Sequence, residues 1–345
     1  MNKFYLPAEW YVQDAVMLTW PHEQTDWQHI IKQVEPVYIE ISKHITTRQD
    51  LVIVCDNEQL QESVSQLLQQ NNIDLHKVHF VVCPTDDTWA RDHGPITLVN
   101  DQGQTLALDY VFNGWGNKFA AAKDNQINQH VFAKFNVNNK PQDFVLEGGG
   151  IEVDGEGCLM VTSECLLNPN RNPDSSQAQI EQQLMESFGC TKTLWLDFGA
   201  LDGDDTDAHI DTLARFAPNN SIVYQGCDNS EDSHYAGLTQ MQTQLSQFTN
   251  AQGQAYKLYQ LPWPSAQFSQ EGDRLPATYA NFLIINGAVL LPVYGVEQDQ
   301  QAVDVMRQAF AGYEIIPINC RPIIEQFGSL HCITMQLPKG FFQQA

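Results

Sequence analysis

The amino-acid sequence predicts an α/β protein in which one ββαβ unit is repeated around an axis, giving a pseudo-fivefold propeller. Three observations predict this fold. Short β runs and amphipathic helical patterns alternate along the chain. The order strand, strand, helix, strand recurs at intervals of about 55 to 70 residues, a spacing typical of radial or solenoid arrays. The loop after the last strand of each unit carries the unusual polar residues. One ordinary mixed sheet is the alternative that the pattern leaves open.

The first four units follow one another along the chain. In each, a short turn, DQG, DGEG, NN or NG, separates two β runs, as expected of a hairpin. A helix is expected next because apolar residues recur at helical spacing, and a third β run ends the unit. In the order strand, strand, helix, strand, the units are 96–100, 105–112, 123–135 and 143–146; 150–153, 158–162, 178–189 and 193–196; 212–216, 221–225, 232–247 and 256–261; and 279–285, 288–294, 298–310 and 313–318.

The two ends of the chain together make the fifth unit. CITMQL and AVMLTW are its paired strands, and DLVIVC is the third strand after a helix. In the same order, its elements are 332–337, 15–20, 28–46 and 50–55. An additional helix near 57–70 and a strand near 78–83 are inserted after them.

Composition narrows the domain count and the partners. No low-complexity segment or charged linker divides the chain, and we expect residues 1–345 to form a single domain. The chain has 18 Lys and Arg against 42 Asp and Glu, a formal net charge of −24. Nucleic acids and anionic membrane surfaces are held by clustered basic residues, so this charge argues against both as partners and favours a cationic ligand.

The N-terminal sequence and the cysteines argue against a secreted protein, a membrane protein and a zinc protein. The N-terminal sequence has an acidic residue, Trp and Pro where a secretory signal would be apolar, and no apolar run reaches membrane-spanning length. We therefore expect a cytoplasmic protein. The eight cysteines include no CxxC pair, which argues against a disulfide framework or a zinc site. Neither a phosphate-binding loop nor an EF-hand occurs, so the sequence predicts no cofactor and no metal.

The residues that can carry chemistry gather in the loops after the third strands. These loops are 83–96, 146–153, 196–211, 261–281 and 318–332. If the units surround an axis, loops of the same phase meet at one end of it, over a central depression. We expect the active site there, because loops held by a rigid scaffold commonly carry function.

Two of these loops carry a candidate nucleophile and its partners. Cys332 follows Gly and Ser in FGSLHC and starts an apolar strand, which suits a nucleophile but also an ordinary buried cysteine. In AHID, His209 and Asp211 are two residues apart at the start of a strand, so their side chains should point the same way. A histidine acting as general acid and base fits this pattern. Cys332 with His209 favours nucleophilic catalysis over metal binding.

Two further loops add carboxylates. TWARDHGP contains Trp89 and Asp92, and LEGGG places Glu147 at a strand end before three glycines that let a ligand or backbone approach closely. A thiol, an imidazole and several carboxylates suit a guanidinium, a planar cation with five donors that Asp92 and Asp211 could hold by paired hydrogen bonds. The carboxylates should raise the pKa of Cys332, and a bound cation should lower it again.

With these residues in place, the sequence resembles the agmatine deiminases, in the wider group of bacterial peptidylarginine deiminase-like enzymes. The resemblance covers nearly the whole chain, through LPAEW, MLTWPHEQTDW, TWARDHGPI, FNGWGNK, LEGGGIEVDGEG, TSECLLNPNRNP, GDDTDAHID, ATYANFLIING and HCITMQLP. It implies the pentein fold, a propeller of five ββαβ units. It also implies hydrolysis of agmatine to N-carbamoylputrescine and ammonia, in polyamine biosynthesis or agmatine catabolism.

The resemblance implies a role for each candidate. Cys332 would attack the guanidinium carbon while Asp92 and Asp211 hold its nitrogens. His209 would protonate the departing ammonia, leaving an S-alkylthiouronium, and then activate the hydrolytic water. Glu147 would orient His209 and contact the guanidinium. The resemblance implies that the remaining substrate-binding residues are Trp89, beside the alkyl chain, and Asp205, at the far amine.

Two stretches depart from the family's usual pattern. QFGSLHC stands where many agmatine deiminases have GGGNIHC, and Asp207-Ala208 replaces the Asn-Gly often found before the histidine. Neither change removes a catalytic group, so both bear on the substrate more than on the reaction.

Other functions stay open on the sequence. Deimination of free or peptide arginine would need a group for the carboxylate or backbone, and Arg171 and Arg274 lie in loops where they could serve. A non-catalytic binding protein is a second alternative, because a ribosome anti-association factor uses the same propeller fold. A homo-oligomer is compatible with the sequence, and the loop WPSAQFSQEGDRLP is a candidate lid.

Overall fold

A computed structural model describes residues 3–342 of the chain. The strands of this part are β1 (Gln13–Thr19), β2 (Asp50–Cys55), β3 (Val78–Val82), β4 (Ile96–Val99), β5 (Thr105–Val111), β6 (Asn139–Val145), β7 (Ile151–Val153), β8 (Cys158–Thr162), β9 (Lys192–Leu196), β10 (Ala214–Ala217), β11 (Ser221–Gln225), β12 (Lys257–Leu261), β13 (Gln267–Phe268), β14 (Arg274–Leu275), β15 (Leu283–Ile285), β16 (Ala288–Val293), β17 (Glu314–Asn319) and β18 (Thr334–Pro338). Its helices are α1 (Ile31–Thr46), α2 (Glu58–Gln70), α3 (Ala90–His93), α4 (Gly114–Asn117), α5 (Ile127–Phe135), α6 (Ser163–Leu166), α7 (Gln177–Phe188), α8 (Tyr235–Leu245) and α9 (Asp299–Ala309).

Within the described residues, five sheets share one plan. Four of them have the strand orders β4-β5-β6, β7-β8-β9, β10-β11-β12 and β15-β16-β17. In each, the first two strands are antiparallel and the third is parallel to the second. A parallel neighbour needs a crossover connection, which α5, α7, α8 and α9 supply. These elements confirm the four ββαβ units expected from the sequence.

The fifth sheet joins the two ends of the chain, in the order β18-β1-β2-β3. β1 is antiparallel to β18, with Met17 opposite Met335, and parallel to β2 after the crossover through α1. α2 and β3 extend this sheet, as the sequence predicts. Because Cys332 lies just before β18, the pairing with β1 fixes the position of its loop.

The helix α7 illustrates how the sequence specifies one crossover. Ser176 and Gln179 form a reciprocal capping box at its start, and Gly189 ends it in the left-handed conformation at φ 71°. Ile180, Leu184 and Phe188 recur at every fourth position and are buried. Burying each of these side chains stabilises the fold by about 1.5–3 kcal/mol.

The second strand of each unit lies in the core. β8 and β11 are buried at every position, as expected for strands covered on both faces. The third strands β6 and β17 are instead exposed at several positions. The loops that carry the site follow these third strands, each of which pairs with the buried second strand of its unit. No helix in the described part of the chain combines the length and the apolar character needed to cross a bilayer.

The long loop after β12 contains a small hairpin that sequence reasoning missed. β13 and β14 pair antiparallel, and the Ser269 amide donates to the carbonyl of Asp273. The hairpin packs on Gly203, where an added Cβ would lie 2.4 Å from the carbonyl oxygen of Arg274. Movement of this loop as a lid stays a prediction.

Candidate active site

Cys332 is a buried thiol between an amide and a carboxylate. Its Sγ lies 3.4 Å from Oδ1 of Asn281 and 4.0 Å from Oδ2 of Asp211. The same Asn281 oxygen accepts from the amides of His331 and Cys332 and so shapes the loop. Burial raises the pKa of the thiol well above its ordinary value, and the carboxylates of Asp211 and Asp92 raise it further. The direction agrees with the sequence prediction, although burial contributes most.

Asp92 lies on the short helix α3, with both oxygens occupied. Oδ2 accepts from Nε1 of Trp115 and Oδ1 from the amide of Gly149, each at 3.0 Å. Burial raises the pKa of Asp92 to about 6; His209 opposes the shift, and Asp211 adds to it. The amide of Arg91, its neighbour, donates to the carbonyl of Cys332. Helix α3 is therefore tied directly to the thiol-bearing loop.

The local conformation around Asp211 differs from the sequence prediction. The chain does not run extended through His209 and Asp211; Ile210–Thr212 form a 3-10 turn ahead of β10. The Thr212 hydroxyl donates to the carbonyl of His209 and stabilises this turn. The side chains of His209 and Asp211 still reach the site, because the 3-10 turn orients them as an extended strand would have done.

The carboxylate of Asp211 is bound on one side. Oδ2 lies 2.7 Å from Nδ1 of His331, whereas the buried Oδ1 has no hydrogen-bond partner within the described residues. Burial works to raise the pKa of Asp211, but the hydrogen bond and charge of His331, with His209 and Arg215 behind them, lower it below its usual range. Asp211 is therefore ionised, and its Oδ1 can accept a hydrogen bond.

The imidazole of His209 lies between two carboxylates at longer range. Its Nδ1 is 3.6 Å from Oδ1 of Asp92 and its Nε2 is 3.9 Å from Oε2 of Glu147. Neither ring nitrogen has a hydrogen-bond partner within the described residues. Burial would lower the pKa of His209, but Asp92, Cys165 and Glu147 outweigh it and hold the pKa well above its ordinary value. His209 is thus positioned as a proton donor.

Glu147 is held by an arginine that the sequence suggested for another task. Both carboxylate oxygens accept from Nε of Arg171, at 3.0 and 2.9 Å, and the Arg171 side chain is fully buried. Arg171 also pairs with Asp207 at 2.8 Å. Burial works to raise the pKa of Glu147, but His209 and Arg171 lower it. Arg171 therefore fixes the position of Glu147, and its guanidinium is not free to bind a substrate.

The glycines of LEGGG let three catalytic candidates converge. A Cβ added to Gly149 would lie 2.6 Å from Nδ1 of His209, 2.8 Å from Oδ1 of Asp92 and 3.2 Å from Oδ2 of Asp211. Each of these distances is shorter than an ordinary contact. The same point in space is thus surrounded by all three side chains, and a residue larger than glycine cannot occupy it.

A cavity of about 310 Å³ opens above Cys332 and Asp92. Its aspartates are Asp26, Asp87, Asp92, Asp204 and Asp205, and its aromatic residues are Trp89, Trp115, Phe119 and Phe327. Trp89 is fixed by its Nε1, which donates to Asp87 at 2.9 Å, and by Gly328, whose added Cβ would lie 2.1 Å from the indole. Both predicted substrate-binding residues, Trp89 and Asp205, line this cavity.

One group of buried side chains has the residue types of a metal site, but its surroundings oppose a metal ion. Glu147, Cys165 and His209 bring possible ligand atoms within 4.8 Å of one another. However, the guanidinium of Arg171 already binds both oxygens of Glu147. Its positive charge opposes a second cation at the same place.

Sequence reasoning missed the residues that hold the candidates in place. Trp115, Asn281 and His331 contact Asp92, Cys332 and Asp211, respectively. Their motifs, FNGWGNK, ATYANF and HCITM, were visible in the sequence. However, a motif does not indicate which distant side chain its residues contact.

Several known proteins to which this chain is similar are named as deiminases. The sequence model of Porphyromonas-type peptidyl-arginine deiminases matches residues 5–338. A crystal structure from Porphyromonas gingivalis, provisionally named an arginine deiminase, is 45% identical, with a TM-score of 0.92 and coverage of 99% of this chain and 100% of that one. The C. jejuni agmatine deiminase, solved as a cysteine-to-serine variant with substrate bound, is 37% identical, with a TM-score of 0.91 and coverage of 99% and 98%. A Legionella pneumophila protein provisionally named agmatine deiminase is 32% identical over 341 residues, 98% of this chain and 96% of its own.

Proposed function

Because the chain belongs to the Porphyromonas-type peptidyl-arginine deiminase family, we propose that it hydrolyses agmatine to N-carbamoylputrescine and ammonia. One observation carries the proposal. The Cys332 thiol lies beside Asp92 at a cavity with five aspartates and, among the described residues that line it, no Lys or Arg. Agmatine has a guanidinium at one end and an ammonium at the other, so its two charges suit such a lining.

The first half of the reaction forms a covalent intermediate at Cys332. Asp92 and Asp211 hold the guanidinium nitrogens, and the bound cation offsets their charge. This lowers the pKa of the thiol, which releases its proton to solvent. Sγ then bonds to the guanidinium carbon. The bond from that carbon to a terminal nitrogen breaks, and His209 donates the proton with which ammonia leaves.

The second half regenerates the thiol. His209, now neutral, takes a proton from water, whose oxygen bonds to the carbon of the S-alkylthiouronium. The carbon–sulfur bond breaks, and the ureido product leaves as the cysteine is restored. Glu147 orients His209 throughout, since its carboxylate lies 3.9 Å from Nε2 and is itself fixed by Arg171. The burial of both partners keeps bulk water away from this pair.

The positions of the arginines favour agmatine over arginine. Arg171, one candidate for an arginine carboxylate, is fully buried against Glu147 and Asp207. Arg274, the other, donates to Asp232 and is absent from the cavity lining. An arginine carboxylate would therefore meet the cavity's aspartates without a free arginine to pair with, and the nearby Lys118 is already paired with Asp207 at 2.8 Å, which disfavours its binding.

The far end of the cavity suits an ammonium. Asp205 lines the cavity near Phe119, and Lys118 donates to its backbone oxygen at 2.6 Å rather than to its carboxylate. We assign Asp205 to the far amine and Trp89, fixed over Gly328, to the alkyl chain. The Phe119 side chain is exposed at the same rim.

We also propose the arrangement of the five sheets that this family implies. Five ββαβ sheets and a site at the loops of one phase support a pentein propeller formed by residues 1–345 as a single domain. The cytoplasmic location, the lack of nucleic-acid and membrane partners, and a role in polyamine synthesis or agmatine catabolism stay predictions from the sequence.

The test is a comparison of three substrates. Release of ammonia and ureido product is measured from agmatine, arginine and a blocked arginyl peptide, with Cys332→Ser as the matched control. We expect turnover of agmatine, at least about 100-fold lower kcat/KM for the other two because of the uncompensated charge, and none in the variant. Comparable turnover of arginine would make the substrate assignment wrong, and inertness toward all three would make the proposed reaction wrong.

A further inference from the structure

His331, the residue before Cys332, joins two buried carboxylates. Its Nδ1 lies 2.7 Å from Oδ2 of Asp211, and its Nε2 lies 2.7 Å from Oε2 of Glu9. The exposed fractions of the His331, Asp211 and Glu9 side chains are 1%, 0% and 4%. The site is therefore linked, through one imidazole, to the LPAEW segment near the N-terminus.

The charges around this histidine balance. Carboxylate oxygens accept hydrogen bonds, so an imidazole that meets a carboxylate at each nitrogen donates from both and carries a positive charge. Glu9 also accepts from Nη2 of Arg215 at 2.7 Å and faces Nη2 of Arg91 at 3.7 Å. Nε of Arg215 donates to Glu152 at 2.8 Å. Three cations thus oppose three carboxylates in a buried group, as a buried ion network requires.

We infer that His331 is a positioning residue for the guanidine substrate, which holds one oxygen of Asp211 so that the other faces the substrate as a charged acceptor. The inference rests on the proposed function. Oδ2 of Asp211 is occupied by His331, whereas Oδ1 is buried without a hydrogen-bond partner within the described residues. An unpaired buried carboxylate oxygen is costly, and a guanidinium N–H would satisfy it with a charged hydrogen bond.

Two isosteric substitutions separate the two halves of the bridge. In His331→Asn, the side-chain amide nitrogen takes the place of Nδ1 and can still donate to Asp211. In His331→Gln, the amide nitrogen takes the place of Nε2 and can still donate to Glu9. Both variants remove the ring and its charge, so a purely structural role would affect them alike. A positioning role ranks them, because only the Asn variant keeps the contact to Asp211.

The expected effect falls on KM rather than kcat. Loss of a hydrogen bond to a charged group weakens an interaction about tenfold or more, so KM for agmatine should rise by at least about tenfold in His331→Gln. The rise in His331→Asn should be several times smaller. Thermal unfolding of both variants shows whether either change reflects a loss of folded protein.

A pH profile supplies a second readout. The groups that face Asp211 are His331 and Cys332 on the loop before β18, His209 on its own turn, Arg215 on β10, and Arg91 and Asp92 on α3. His331 lowers the pKa of Asp211, so its loss raises that pKa. The carboxylate is then protonated at a higher pH. Because Asp92, whose pKa is about 6, already sets the first break of the acid limb, protonation of Asp211 appears as a second break at lower pH, where kcat/KM falls more steeply. This second break of the acid limb moves upward in His331→Gln but less in His331→Asn.

The outcomes are distinct. Equal losses in the two variants, the reverse order, or an unchanged acid limb in both would overturn the inference. If neither variant folds, Glu9→Gln tests the inference instead, because it removes the negative charge opposite Nε2 of His331. An upward shift of the acid limb in this variant supports the inference, and an unchanged acid limb overturns it. Wild-type protein that does not turn over agmatine would instead make the proposed function wrong, and that result is obtained separately.

Discussion

Gly149→Ala should lower the kcat of the enzyme about 100-fold without unfolding it. Gly149 is the middle glycine of LEGGG, and its amide donates to Oδ1 of Asp92 at 3.0 Å. A methyl group there would lie 2.6 Å from Nδ1 of His209 and 2.8 Å from Oδ1 of Asp92. The substitution therefore pushes the proposed proton donor and one guanidinium-binding carboxylate apart at once.

The size of the effect follows from these distances. Non-bonded heavy atoms rest at about 3.5 Å or more, so His209 must move by roughly 1 Å to admit the methyl group. A misplacement of about 1 Å in a catalytic arrangement can reduce the rate about 100-fold. Overpacking a core position costs about 1–3 kcal/mol, which a domain of ordinary stability tolerates.

The matched control is Gly150→Ala, one residue further on. There, the added Cβ would lie 3.8 Å from Cδ2 of His209, which is an ordinary contact, and 3.3 Å from Sγ of Cys165, a tight contact that a shift of a few tenths of an ångström in Cys165 relieves. Steady-state assays with agmatine should give a kcat about 100-fold lower for Gly149→Ala and within about threefold of wild type for Gly150→Ala. Thermal unfolding confirms that both are folded. A folded Gly149→Ala enzyme with wild-type kcat, or equal losses in the two variants, would refute the reasoning.

Three further predictions concern the cavity. Since burial raises the pKa of Asp92 to about 6, kcat/KM for agmatine should fall as the pH drops through that value and the carboxylate loses its charge, and a profile flat to pH 5 would contradict this. Asp205→Asn should raise KM for agmatine about tenfold but leave KM for butylguanidine, which lacks the amine, unchanged. Phe327→Gly should change the free energy of unfolding in urea by less than about 1 kcal/mol, because the 1–2 kcal/mol released at its positive φ offsets lost packing; a loss above about 3 kcal/mol would contradict the offset.

The repeated fold could be predicted because its signals are local. Each helix and hairpin has its own periodicity and turn, so the five units were identified in order. The hairpin β13–β14 was missed because each of its strands has two residues, too few for alternation to show. The 3-10 turn at Ile210–Thr212 was missed for a similar reason, since a single turn leaves no periodic pattern.

The site could be predicted in part. Cys332, His209, Asp92, Asp211 and Glu147 are reactive types clustered in loops of one phase. Their supporting partners are far away in the sequence: His331 lies 120 residues from Asp211 and 322 from Glu9. Without side-chain geometry, no pattern in the sequence could assign those contacts.

The two departures from the family pattern acquire a physical meaning in the structure. Asp207, Ala208 and Phe327 all have positive φ, at 64°, 59° and 62°, where a non-glycine residue costs about 1–2 kcal/mol. Asp207 offsets this with ion pairs to Lys118 and Arg171 at 2.8 Å. Phe327 instead places its ring in the cavity wall. Strain that glycine would avoid is therefore retained where the Phe327 ring lines the cavity and where Asp207 pairs with Arg171. Substrate preference in this chain should thus change through substitutions at the rim before the reaction itself is lost.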